Sequence, residues 1–187
     1  MRIIGCTGAA LLSALIGMTG PARAGPVELA GEMPARILAA HNQVRAEAGV
    51  APLEWDAALG DAAANYAVYL AVTNSFQHSE QSRRPGTGEN LWIGTRGAFS
   101  FEAMVGGWSS ERKDFVPGVF PAVSRAGSLE KVGHYTQMVW PTTTRVGCAV
   151  ASNAANDYLV CRYSPAGNVV GKPLFSTAAA PIAPQGG

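Results

Sequence analysis

Residues Gly133 to Trp140 read GHYTQMVW, and the fold turns on how that stretch is taken. Tyr135, Met138, Val139 and Trp140, with the β-prone Thr136, have the spacing of a half-buried strand, with the imidazole of His134 at its entrance. On that reading 135–140 opens a run of strands. Val146–Ala151 and Tyr158–Tyr163 come next, joined as a hairpin across Asn153 to Asp157, and Leu91–Ile93 is expected as a further short strand.

The first half of the chain has helical spacing instead. Ile37, Leu38, His41, Val44 and Ala48 recur along one face, with Pro34 suited to the first turn and Gly49 to the stop. A second helix is expected to start after Asp56 as its cap and to run to Thr73, burying Leu59, Ala63, Tyr66, Ala67 and Leu70. A third runs from a Ser100 cap through Asp114. Residues 75–90 and the Pro- and Gly-rich segment 116–131 hold neither period and are expected as loops, and the tail 176–187 as unstructured. Helices before and between a few antiparallel strands make the class α+β.

Four segments, taken together, resemble the CAP superfamily: cysteine-rich secretory proteins, antigen five and the pathogenesis-related group-one proteins. They are HNQVR (His41–Arg45), GENL (Gly88–Leu91), GHYTQMVW, and YLVCRYSPAGN (Tyr158–Asn168), in the family's order. The resemblance implies one CAP domain over residues 34–175, a three-layer α-β-α sandwich around a small antiparallel central sheet, and a monomer. It also implies a cleft where two histidines and two glutamates meet, which here are His78, Glu89, Glu111 and His134. Two of the chain's three histidines fall in that set.

The chemistry of such a set is legible in its own right. His78 and His134 can offer ring nitrogens to zinc or another divalent cation, while carboxylates complete the shell or fix each tautomer. With so few protein ligands the ion would be labile. The alternative is a satisfied hydrogen-bond network of two His–Glu pairs without metal. The leading expectation is a non-enzymatic extracellular scaffold that binds a divalent ion and a small apolar ligand (sterol or fatty acid) or an extracellular protein. The competing one is a metal-dependent, peptidase-like hydrolase with Glu89 or Glu111 as general base. An apolar ligand would meet the loop carrying Phe115, Val119 and Phe120, unless those residues simply cover the core. His41, on an apolar helix face, is read as an interior group.

Other chemistries find no support. There is no G-x-S-x-G elbow, no H-E-x-x-H and no phosphate loop. Charged residues make up 14% of the chain without a basic block, so nucleic acid is not an expected partner. Residues 1–24 read as a leader: Arg2, an apolar run Ile3–Met18, and Ala22-Arg23-Ala24 as cleavage site. Its removal takes Cys6 and leaves Cys148 and Cys161, which on an exported chain suggest a disulfide worth ~3 kcal/mol in the chain-entropy model. A metal-binding cysteine pair is the alternative, and the spacing is not C-x-x-C. Secretion, or a periplasmic location in a bacterial source, follows from this reading.

Overall fold

The computed structural model describes residues 26–175, so the expected leader 1–24 and the tail 176–187 lie outside the described residues. Pro26–Glu47 forms α1, which passes through Pro34 instead of starting there. A ring-locked φ suits helical backbone, and the missing N–H forfeits a single hydrogen bond. Ile37, His41 and Arg45, spaced four apart, form its fully buried stripe.

The chain then lays down β1 (Glu54–Trp55), and Asp56 caps α2 (Ala57–Thr73) by accepting the Leu59 N–H at 3.1 Å. Asn74, in the left-handed region at φ 49°, ends that helix. Ala63, Ala67, Leu70 and Ala71 are its buried residues, whereas Leu59 and Tyr66 are half-buried. β2 (Gly88–Thr95) is longer than the expected Leu91–Ile93 and takes in Glu89. The Ser100 hydroxyl accepts the Ala103 N–H and caps α3 (Phe101–Ser109), which tightens into a 3-10 turn over Ser110–Asp114.

The largest departure comes at the decisive stretch. After β3 (Gly118–Val119) and a 3-10 turn at Leu129–Lys131, Gly133–Met138 forms α4, not a strand. Every residue from Tyr135 to Trp140 is buried, so the segment has no solvent face whose period would betray it. β4 (Arg145–Ser152), β5 (Asn156–Ser164) and β6 (Pro173–Leu174) complete the chain.

Four strands make the central sheet in the order β1-β4-β5-β2. β4, β5 and β2 are antiparallel, but the two residues of β1 add in parallel to β4, so the sheet is mixed and not purely antiparallel. The reason is local: β1 leads directly into α2, and its pairing with Arg145 and Val146 sets the point from which that helix crosses the sheet. Leu159, Cys161 and Tyr163 face α1, α3 and α4, while Tyr158, Val160 and Arg162 face α2, giving the α-β-α layering. Cys148 and Cys161 stand directly opposite in the β4–β5 register and are disulfide-bonded.

Close approach is built in at two glycines. A Cβ on Gly147 would overlap the backbone of Asp56, Leu59 and Gly60, so α2 lies directly on β4 there. A Cβ on Gly88, the first residue of GENL, would overlap the side-chain amide of Gln137 in GHYTQ. Two of the family-like segments thus touch through a missing side chain.

Candidate functional site

The four expected residues arrange themselves as two His–Glu pairs. Glu89 lies on edge strand β2 opposite Arg162 of β5, and its carboxylate is fully buried. It accepts the Ser79 N–H and hydroxyl, each at 3.0 Å, and His78 Nδ1 at 2.7 Å, and it pairs with Arg162 at 3.0 Å. Burial pushes this carboxyl up, but the donors from His78, Arg162 and Ser79 outweigh it and hold Glu89 below its ordinary value. The His78 side chain is 54% exposed.

Glu111, in the turn after α3, makes the second pair. It accepts the backbone N–H of His134 at 2.9 Å and of Tyr135 at 3.1 Å, capping α4, and takes His134 Nδ1 at 2.6 Å. Trp108 stacks on the His134 ring at 6.0 Å and 17°, and its Nε1–H is fixed by the Leu91 carbonyl. An ionised carboxylate only accepts, so each imidazole donates from Nδ1 and, when neutral, keeps its lone pair on Nε2.

Both pairs adjoin β2. Glu89 and Asn90 are neighbours on one strand and therefore point to opposite faces, Glu89 to the α2 side and Asn90 to the side holding His134. His78 lines a cavity of about 480 Å³, and Glu111 lines a separate polar one of about 410 Å³ with Lys113 and Lys131. Among the described residues no three His, Cys, Asp or Glu side chains converge as a closed metal cage would require. What the residues offer an ion is two oriented imidazole nitrogens with a carboxylate behind each, the orienting arrangement that metal-binding histidines use.

A buried polar chain supports this site, and only its first member was legible. His41 Nδ1 donates to the Ile37 carbonyl at 2.8 Å, and its Nε2 accepts the Tyr163 hydroxyl at 2.8 Å. The same hydroxyl accepts Asn90 Nδ2 at 3.2 Å, and that amide also donates to the His134 carbonyl at 3.1 Å. The relay therefore ties α1 to the backbone of the second histidine. Asn90 and Tyr163 went unpredicted; their signal is a polar group inside otherwise apolar strand segments.

Burial, reinforced by the charge of Arg45, lowers His41 to about 4, although its bond to Ile37 opposes the shift. The native ring is neutral where the unfolded ring, near its ordinary ~6.5, already takes a proton. Stability is therefore full above that value and falls as pH drops from ~6.5 towards 4, by ~3 kcal/mol at the lower end. Urea melts at pH 7 and pH 4.5 should show the loss in wild type and a smaller one in His41→Gln. An equal loss in both would remove His41 as its cause.

The expected apolar-ligand loop resolves differently from an open surface. Phe115 and Phe120 are buried, packing on Tyr135 and Trp140, and of the three named residues only Val119 is exposed. Phe115 and Phe120 belong to the hydrophobic core, and Val119 does not. β3 pairs with β6, which fastens the loop against buried Leu174.

Comparison with known proteins bears on this arrangement. The profile of the cysteine-rich secretory protein (CAP) family matches residues 38–163. Pathogenesis-related leaf protein 4 of Solanum lycopersicum is 40% identical over 140 residues, 74% of this chain and 81% of the relative. Secreted protein RBT4 of Candida albicans is 38% identical over 141 residues, 73% of this chain but 36% of that longer protein. Among solved structures, NaASP2 with Zn2+ superposes with a TM-score of 0.66 at 27% identity, covering 76% of this chain and 84% of its own. A plant and a yeast supply these two relatives, which give the bacterial expectation no support.

Proposed function

Because this chain belongs to the cysteine-rich secretory protein (CAP) family, we propose that it is a pathogenesis-related-type extracellular scaffold, non-enzymatic, whose paired imidazoles take up a divalent cation. The observation that carries this reading is that both rings spend Nδ1 on a carboxylate and keep Nε2 for a ligand. The zinc named with NaASP2 supports it. Secretion is supported by the leader-like residues 1–24, the Cys148–Cys161 bridge, and the secreted Candida relative.

His78 and His134 would hold the ion, with Glu89 and Glu111 orienting them. A bound divalent ion supplies a Lewis-acidic centre. The hydrolase reading, with Glu89 or Glu111 as base, is weaker because each carboxylate already holds at least three donors. A group so committed must break those bonds to take a proton.

The test is calorimetric titration of zinc into the purified protein beside the His78→Ala/His134→Ala variant. Saturable binding that the variant loses is the expected result. A folded wild type that binds no zinc would overturn the proposal.

A second reading has its own observation. α1 and α3 enclose a groove of about 430 Å³ lined by the small apolar residues Ala39, Ala40, Val44, Val105 and Gly106 and by the ion pairs Arg36–Glu102 and Arg112–Glu47. A small apolar stripe with charged groups along it suits a fatty acid or sterol with a polar head better than the loop around Phe120 does. Lipid recovered by solvent extraction from wild type, and missing from Gly106→Trp, is the expected outcome. Equal recovery from both would exclude the groove.

A further inference from the structure

The cavity beside His78 carries features that neither ion uptake nor the α1–α3 groove uses. It is larger than the other two described, at about 480 Å³, within the usual range of ligand sites. Two tyrosines one helical turn apart on α2, Tyr66 and Tyr69, stack beside it with ring centroids 5.6 Å apart and planes 15° from parallel. Arg162 holds its guanidinium over the Tyr66 ring at 5.3 Å, and Tyr66 Oη is anchored on the Gln77 carbonyl at 2.7 Å. The inner ring is therefore fixed, while Tyr69 remains 48% exposed.

Around this platform stand the side-chain amides of Asn65 and Gln77, which make no hydrogen bond to any described residue, with Glu80 and Arg83. Each arginine beside the cavity already faces a carboxylate: Arg83 faces Glu80 at 4.0 Å, and Arg162 and Arg84 share Glu89 at 3.0 and 3.9 Å. The three arginines exceed the two glutamates by a single positive charge, too little to make charge the main basis of recognition. An aromatic face offers broad apolar contact, and amides offer both donors and acceptors at its edge.

We propose that this cavity is a saccharide-binding site, in which the C–H face of a neutral sugar ring lies on Tyr69 and its hydroxyls bond to Asn65 and Gln77. The combination fits a carbohydrate because one face of a pyranose is apolar while its rim is lined with hydroxyls. A wholly apolar ligand would leave the amides unpaired, and a polar ligand without an apolar face would waste the ring. The site stands independently of ion uptake, since it needs the wall that His78 provides and not its Nε2 lone pair.

The probes are the β-1,4-linked hexamers of glucose and of N-acetylglucosamine, titrated into the full chain by calorimetry and by saturation-transfer NMR. At least one should bind with a Kd of ~0.1–1 mM. Tyr69→Ala should weaken it by about tenfold or more, Tyr69→Phe should retain it, and Asn65→Ala/Gln77→Ala should weaken it comparably. Tyr69 is exposed enough for these variants to fold, and a thermal melt of each checks that. The proposal fails if neither hexamer binds at up to about 5 mM, or if binding survives Tyr69→Ala. It also fails if the amide variant binds as wild type does, since contact with the ring alone would then account for the affinity.

Discussion

Arg45→Ala is expected to lose most of the domain's stability, lowering the melting temperature by roughly 10–20 °C, equivalent to about 5 kcal/mol. The guanidinium is fully buried and bonds four backbone carbonyls: Ala51 at 2.6 Å, Met138 at 2.8 Å, and Trp140 and Thr143 at 3.0 Å each. Among the described residues it has no carboxylate partner. Burial, partly opposed by Tyr163, lowers it to about 10, so it stays charged at neutral pH. Two of its acceptors lie at the C-terminal end of α4, where carbonyls lack partners and the helix dipole is negative. Truncation strands the carbonyls of Ala51, Met138 and Thr143, each at a penalty of ~1–3 kcal/mol before water relieves it, whereas that of Trp140 keeps the Thr143 N–H at 3.2 Å. Arg45→Lys should recover less than half of the loss, because an ammonium cannot reproduce the planar fork. A thermal melt decides the matter: a fall in Arg45→Ala smaller than about 3 °C would show that α4 holds its place by other means.

Gly147→Ala is expected to rank second, at ~3 kcal/mol or more. The three atoms nearest the added methyl are backbone atoms of Asp56, Leu59 and Gly60, and backbone cannot swing aside as a long side chain can. The first turn of α2 must lift from β4, and its buried alanines Ala63 and Ala67 lose contact with the sheet. Gly106→Ala is the control. Nothing lies within 4 Å of a Cβ there, and alanine favours a helix interior over glycine by ~0.5–1 kcal/mol. Equal melting temperatures for Gly147→Ala and Gly106→Ala would contradict the direct seating of α2.

How much of this was legible follows the physics of each signal. α2 and α3 were found with their caps because Asp56 and Ser100 act within three residues of themselves. β4 and β5 were found because their alternation is long enough to repeat. α4 was not. A six-residue helix whose last four residues are all buried has neither the length nor the polar face that periodicity needs, and it is held by Arg45 and Glu111 from distant parts of the chain. β1 was missed for a similar reason, since two residues paired in parallel leave no pattern.

The site divides the same way. Resemblance placed His78, Glu89, Glu111 and His134, and the structure shows what resemblance did not: how each is held. Glu89 depends on Ser79 and Arg162, and His134 on Glu111, Trp108 and Asn90, all through contacts between residues 10 to 83 positions apart. Side-chain pairing over such separations has no local sequence signature. Phe115 and Phe120 were ambiguous because an apolar loop reads alike whether it faces inward or outward.

The bond between Cys148 and Cys161 has a consequence for a protein exposed to proteases. It crosses the two strands on either side of the short turn at Asn153–Ala155. A peptidase that cuts that turn produces two polypeptides that stay covalently joined and still hydrogen-bonded strand to strand. Such a nick would pass unseen on a non-reducing gel and separate into two bands only after reduction. The hairpin tip can thus be severed while the sheet that carries Glu89 and Arg162 remains in one piece.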